Sequence, residues 1–188
     1  MLGSWDIKVS TSGMPQKIAS AVSDIELVGA SYIPIAYLGS QVVNGVNHAI
    51  LAEQTIISSQ NRKNIVIMIF NESVDGTVSL ISIDRVMEGG APLGGLQICP
   101  TVNIPAEAMD AFNDSVTELL GVAIKPFALL GTKVTKNTNF VFAATCTPIV
   151  ENPQAKLTLI VVNSETKDVI FYNLLADKLH ALGYSFTW

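Results

Sequence analysis

The stretch from Leu38 to Gln54, LGSQVVNGVNHAILAEQ, returns at Leu130 as LGTKVTKNTNFVFAATC. The separation of 92 residues between Gly39 and Gly131 is the same between Asn47 and Asn139, and no gap is needed to keep it. Leu38/Leu130, Val42/Val134 and Ala52/Ala144 fall in that register. Outside the stretch it also pairs Pro34/Pro126, Ala36/Ala128, Thr55/Thr147, Ile57/Ile149 and Asn71/Asn163. Self-similarity at one fixed spacing marks a duplicated structural unit. The 188 residues are therefore expected to form two units, 1–90 and 91–188, divided at the glycine-rich Glu88–Gly95 segment, EGGAPLGG.

Each half carries the same order of local signals. In the first, Trp5, Ile7 and Val9 alternate with polar neighbours, the period of a strand with one buried face. Pro15 suits a helix start, and Ile18, Val22, Ile25 and Leu27–Val28 recur at helical spacing up to Gly29. Four apolar or β-branched stretches follow, over Ser31–Val43, Val46–Ile57, Ile65–Phe70 and Thr77–Asp84. Asn44-Gly45 reads as a type I′ hairpin turn, and Asn71–Gly76 as a second hairpin loop. The second half repeats this with strands over Leu96–Val102, Ile124–Thr135, Thr138–Val150, Lys156–Asn163 and Val169–Leu174, and a helix over Ala106–Leu120. Pro100 confines the first of those strands to a sheet edge. A short apolar-faced segment, Leu175–Leu182, and the tail GYSFTW close the chain.

The chemistry implied by the residue types is sparse. A net charge of −5 with eleven scattered Lys and Arg offers no basic surface for a phosphate backbone, so no nucleic-acid partner is expected. Despite 49% hydrophobic residues, no apolar run approaches the roughly 18 residues that span a bilayer, and no membrane partner is expected. The opening MLGSWDIKVS lacks the form of a secretion signal, and Cys99 and Cys146 have neither metal-ligand nor disulfide spacing, which points to the cytoplasm and to two buried thiols. His48 and His180 have no partner at relay or ligand spacing. No nucleophile elbow, phosphate loop or carboxylate pair is present. The expectation is a protein without catalytic residues, metal or cofactor, with His48 in a packing or surface role.

Gln41-Val42-Val43-Asn44-Gly45 resembles the Gln-x-Val-x-Gly first hairpin of the cystatins, and the strand, helix and four-strand order resembles their fold. The fold class this implies is α+β: two tandem cystatin-like units, each one helix packed on a curled antiparallel sheet of four to five strands. The resemblance implies a wedge that fills the groove of a papain-like cysteine protease. Its parts would be Gln41, Val42, Val43, Asn44 and Gly45, then the second hairpin Glu72, Ser73, Val74, Asp75 and Gly76, and Gly3 as an N-terminal trunk. The second hairpin lacks the Pro-Trp pair common in that family, and Lys133–Asn137 keeps the valine but neither the glutamine nor the glycine. Turn chemistry alone also accounts for Asn44-Gly45. Three functions stay open: a protein-binding module that inhibits papain-like proteases; a non-inhibitory interaction module or homo-oligomer; and a small-ligand carrier or enzyme with a pocket between helix and sheet.

Overall fold

A computed structural model describes residues 3–90, 95–134 and 136–174. The Leu175–Leu182 segment, His180, Trp188 and the middle of the EGGAPLGG segment lie outside them. The first unit runs β1 (Trp5–Ser10), α1 (Gln16–Ser23), β2 (Ala30–Val43), β3 (Gly45–Ile56), β4 (Lys63–Glu72) and β5 (Val78–Glu88). The second runs β6 (Leu96–Thr101), α2 (Ala106–Val116), β7 (Val122–Val134), β8 (Thr138–Pro148), β9 (Lys156–Asn163) and β10 (Val169–Asn173). The chain divides between Glu88 and Gly89. Each unit holds one five-stranded antiparallel sheet in simple sequence order, β1-β2-β3-β4-β5 and β10-β9-β8-β7-β6.

The α+β expectation is overturned. Strands hold 56% of the structure and helices 11%, so the protein is mostly β, built from two five-stranded sheets and not from two helix-on-sheet units of the cystatin kind. The reason is where helical spacing gives way. Apolar residues recur at helical intervals through Val28, but α1 stops at Ser23, with Asp24 as its C-terminal cap. The chain turns at Leu27–Gly29, where Gly29 has a φ of 86° and the Ala30 amide donates to the Leu27 carbonyl. Leu27 and Val28 are therefore exposed and not part of a helix face. The same happens in the second unit, where α2 ends at Val116 and Leu119 and Leu120 are exposed. Each helix buries only two side chains, Ile18 and Val22 in α1, Ala108 and Phe112 in α2.

The central strands carry the core. Along β3 the residues His48–Glu53 are all buried, and along β4 so are Asn64–Phe70, so that neither face of this strand pair meets water. Near-continuous apolar runs are what such strands require. Ile50, Ala52, Val66, Met68 and Phe70 form one cluster with Ile18 and Val22. In the second unit Phe140, Phe142, Ala144, Ile160 and Val162 cluster with Ala108 and Phe112, and the Phe112 and Phe142 rings meet edge to face at 5.0 Å.

The duplication extends to irregularities. The β2–β3 register shifts between Pro34 and Ala36 and again between Tyr37 and Gly39, and β7–β8 shifts between Pro126 and Ala128 and between Leu129 and Gly131. At the second shift the edge strand comes so close that only glycine fits. A Cβ on Gly39 would lie 2.3 Å from the Asp6 carbonyl oxygen, and one on Gly131 would lie 2.4 Å from that of Gln97. The repeated Leu-Gly is thus a seat for the edge strand. Pro100 lies in β6, which is an edge strand.

Gly39 also holds a φ of 151°, whereas Gly131 does not adopt a positive φ. Gly39→Ala is accordingly expected to cost about 1–3 kcal/mol and Gly131→Ala less than that. Urea unfolding of the two variants checks this, and unchanged midpoints in both would mean that the close approach is not a constraint.

Candidate functional site

The three segments singled out in the first half meet at one end of its sheet. The Gly3 amide donates to the Val42 carbonyl at 3.2 Å, and the Gln41 amide nitrogen donates to the Gly3 carbonyl at 2.7 Å. Val46 pairs with Glu72 across β3–β4, and a Cβ on Gly45 would stand 2.3 Å from the Glu72 carbonyl oxygen and 3.0 Å from the Ser73 Cα. Gly3, the β2–β3 turn and the β4–β5 loop therefore form one continuous edge. Gln41 is fixed from both sides, since its carbonyl oxygen accepts from Asn47 at 3.1 Å, and Asn47 accepts from Asn71 at 2.8 Å. The last of these bonds recurs in the second unit, where Asn163 donates to Asn139 at 3.0 Å, but Lys133 stands where Gln41 would extend the chain.

The β2–β3 turn is not a two-residue type I′ connection. Val43 pairs with Gly45 around Asn44, and of the two central residues only Gly45 takes a positive φ, 95°, where type I′ needs both. The close approach of the Glu72–Ser73 backbone explains the glycine independently of the turn. Val42 and Val43 are 54% and 39% exposed beside it, and Val74 in the neighbouring loop is 87% exposed. Three apolar side chains thus stand exposed at the end of β2 and on the neighbouring loop.

The β4–β5 loop is held by its own polar groups. The Ser73 amide donates to the Thr77 carbonyl, the Gly76 amide to the Ser73 carbonyl, and the Thr77 amide to the Asp75 carboxylate, each at 2.9 Å. The Ser73 hydroxyl, with help from the Thr77 amide, stabilises the Asp75 carboxylate and lowers its pKa to about 2. Gly76 has a φ of 84° and lies against the Lys17 ammonium.

Behind this edge sits a group of residues that spacing in the sequence does not reveal. His48 is buried in β3, with its Nδ1 2.9 Å from the Tyr37 hydroxyl and its Nε2 3.7 Å from Glu72. Nε2 makes no hydrogen bond. Glu72 in turn accepts from the Lys17 ammonium on α1 at 2.6 Å. Burial lowers the His48 pKa against the opposing pull of Glu72, and the hydrogen bond and charge of Lys17 keep the Glu72 carboxyl below its usual range. Burial also raises the Tyr37 pKa. With the carboxylate facing Nε2, the favoured neutral tautomer carries its proton there and leaves Nδ1 to accept from Tyr37. The packing role expected for His48 describes its burial but not these contacts. The signal that could have found them is divergence between the copies, because Tyr37, His48 and Glu72 align with Leu129, Phe140 and Ser164.

At the opposite end of β2 the first unit has a cleft of about 560 Å³ between the end of α1 and the strand, lined by Met14, Val22, Ile25, Leu27, Tyr32 and Pro34 among others. The Tyr32 hydroxyl there accepts from Gln54, whose own oxygen accepts from Asn64. Cys99 is exposed and Cys146 half-buried, which corrects the reading of two buried thiols; alternation along β6 turns Leu96 and Ile98 inward and Cys99 outward. No helix among the described residues is long and apolar enough to cross a membrane. Comparison with family models, with curated proteins and with solved structures finds no match.

The loop chemistry has a pH signature. Because the folded Asp75 pKa lies below the ordinary 3.8, its contribution to stability is present above that value and is lost as pH falls through about 2. Asp75→Asn is expected to flatten the dependence of unfolding midpoint on pH in that window, with Ser73→Ala moving the Asp75 titration upward. Carboxyl NMR titration and acid denaturation measure both effects. An Asp75 midpoint that Ser73→Ala leaves in place would show that the hydroxyl does not set it.

Proposed function

We propose that the first unit is a non-catalytic protein-binding module that inserts the edge made by Gly3, Gln41–Gly45 and Glu72–Gly76 into a groove on a partner protein. The observation that supports this is the assembly of the three segments into one ridge with Val42, Val43 and Val74 exposed along it. Small apolar side chains on a rigid, hydrogen-bonded frame suit a groove, because little side-chain or loop entropy is lost on docking. The likeness of Gln41–Gly45 to the cystatin first hairpin makes papain-like cysteine proteases the partner class to test first. Two features weaken affinity for an apolar groove: Asp75 keeps its charge on the tip of the second loop, and the Gln41 amide is tied to Gly3 and Asn47, which fixes its orientation. The second unit lacks Gln41 and Gly45 and plays no part in this contact.

Titration of papain with the purified chain tests the proposal. Binding in the micromolar range or weaker is expected, corresponding to about 8 kcal/mol or less. Val43→Asp and Val74→Asp should each weaken it at least about tenfold, as loss of apolar contact at the centre of a small interface does, while the matching Val134→Asp leaves it unchanged. Equal loss from all three variants, or binding that survives Val43→Asp and Val74→Asp together, would place the contact elsewhere.

A further inference from the structure

We propose that His48 is a buried pH sensor for the hairpin edge: its protonation rearranges the Tyr37–His48–Glu72–Lys17 chain and with it the backbone on which Gly45 and the β4–β5 loop rest. The regulation of binding this implies rests on the reading of that edge as the binding surface, whereas the device itself does not.

The argument begins with position. His48 has Ser40 of β2 opposite it on one side and Phe70 of β4 on the other, and it is 7% exposed. The titratable and charged groups that face it come from every neighbouring element. Tyr37 of β2 meets Nδ1, Glu72 of β4 stands 3.7 Å from Nε2, and Lys17 of α1 holds Glu72 from the other side. Asp6 and Lys8 of β1 pair with each other at 2.7 Å and act on the Tyr37 hydroxyl.

Only the neutral ring is satisfied in this frame on the Tyr37 side, where Nδ1 accepts. A second proton must go to Nδ1, which then becomes a donor, so the Tyr37 hydroxyl has to turn from donor to acceptor. The same proton makes the ring a cation beside Glu72, whose second oxygen is free of Lys17, and draws Nε2–H and the carboxylate together. Glu72 is the last residue of β4, its carbonyl oxygen bears on Gly45, and the Lys17 ammonium that shares it lies against Gly76. A shift of Glu72 therefore reaches both loops of the edge through backbone contact.

The second unit supplies the comparison. Phe140 fills the position of His48 and is 6% exposed, so an apolar ring of similar size fits this place in the sheet. With Leu129 for Tyr37 and Ser164 for Glu72, the whole polar chain is missing and not only its histidine. An apolar ring fits this place in the sheet, so the titratable ring and its Tyr37 and Glu72 contacts are not required by packing alone. Burial lowers the ring's pKa, so the change falls below pH 6.5, and stability conferred by the neutral ring is lost as pH falls from 6.5 through the folded value.

NMR titration of the full chain between about pH 8 and 5, the range in which histidine changes charge, tests the device without any partner. In the wild-type protein the His48 ring is expected to titrate with a midpoint below 6.5, and the backbone amides of Gly45, Ser73 and Gly76 to shift with that same midpoint. His48→Phe should remove this component from all three amides, while those of Asn139 and Ser164 stay constant in both proteins. Glu72→Gln should move the ring midpoint lower still, because the favourable carboxylate charge is gone. Edge amides that titrate unchanged in His48→Phe, a ring that stays neutral across the range, or a ring that titrates while the edge stays flat would each overturn the proposal. If His48→Phe does not fold, Glu72→Gln decides alone, and an unmoved ring midpoint is the negative result. Failure here leaves the binding proposal standing, and absence of papain binding leaves this one standing.

Discussion

A strand with neither face in water must find partners within the protein for the polar side chains it carries, and the central strands of the first unit give each of theirs at least one. In β3 and β4 the buried stretches contain His48, Glu53 and Asn64 among apolar residues. Glu53 is paired with Lys63 at 2.8 Å, and Asn64 donates to Gln54. Where the strands begin to emerge, Asn71 bonds to Asn47, and the duplicated Asn163 bonds to Asn139. An unpaired buried polar group costs about 1–3 kcal/mol, so these links stabilise the register as well as the sheet. A one-residue slip would break each of them and turn Ile50 and Met68 out of the core they share.

How much of this could be read beforehand depends on whether the signal was local. The offset of 92 needs no structure to see, and it marks the bulges, the glycine seats and the asparagine pairs, although their roles appear only when strands are paired. Helical spacing overstates both helices, because Leu27–Val28 and Leu119–Leu120 keep that spacing with α1 and α2 while lying beyond the helix ends. Spacing records where an apolar side chain falls on an assumed helix and cannot tell that the helix has already ended, at Ser23 and at Val116. That overstatement also inflates the helical layer, and with it the α+β class. Asn44-Gly45 was legible as a turn, but its glycine answers to the Glu72 carbonyl as well as to turn geometry, a long-range demand that no two-residue motif contains.

The candidate edge was visible in pieces: Gly3, the first hairpin and the second loop could each be named from the sequence, and their junction could not. Gln41 illustrates the difference. In sequence it is the first letter of a hairpin motif; in the fold it is a strut between Gly3 and Asn47. The Tyr37–His48–Glu72–Lys17 chain draws on α1, β2, β3 and β4, with separations of 20, 11 and 24 residues along the sequence. Such a constellation has no spacing rule. It shows itself only in the mismatch of the copies, where three of its members become Leu129, Phe140 and Ser164.

That mismatch bears on why the chain keeps two copies of one sheet. The bulges, the glycine seats, the asparagine pairs and the Ile57–Gly29 and Ile149–Gly121 backbone bonds are common to both, and these are the parts that hold a sheet together. The polar chains differ at both ends of the first sheet: Tyr37, His48 and Glu72 near the hairpin become Leu129, Phe140 and Ser164, and Tyr32, Gln54 and Asn64 at the other end become Ile124, Cys146 and Lys156. A buried imidazole with one unpaired nitrogen costs on the order of 1–3 kcal/mol against a phenyl ring that packs without polar atoms, a sizeable fraction of the stability of so small a domain. The second copy shows that the cheaper solution fits. The cost falls in one unit only, directly behind the edge where Gly3, the first hairpin and the second loop meet, so the interior of the first sheet and the frame of its rim share the same residues, Glu72 above all.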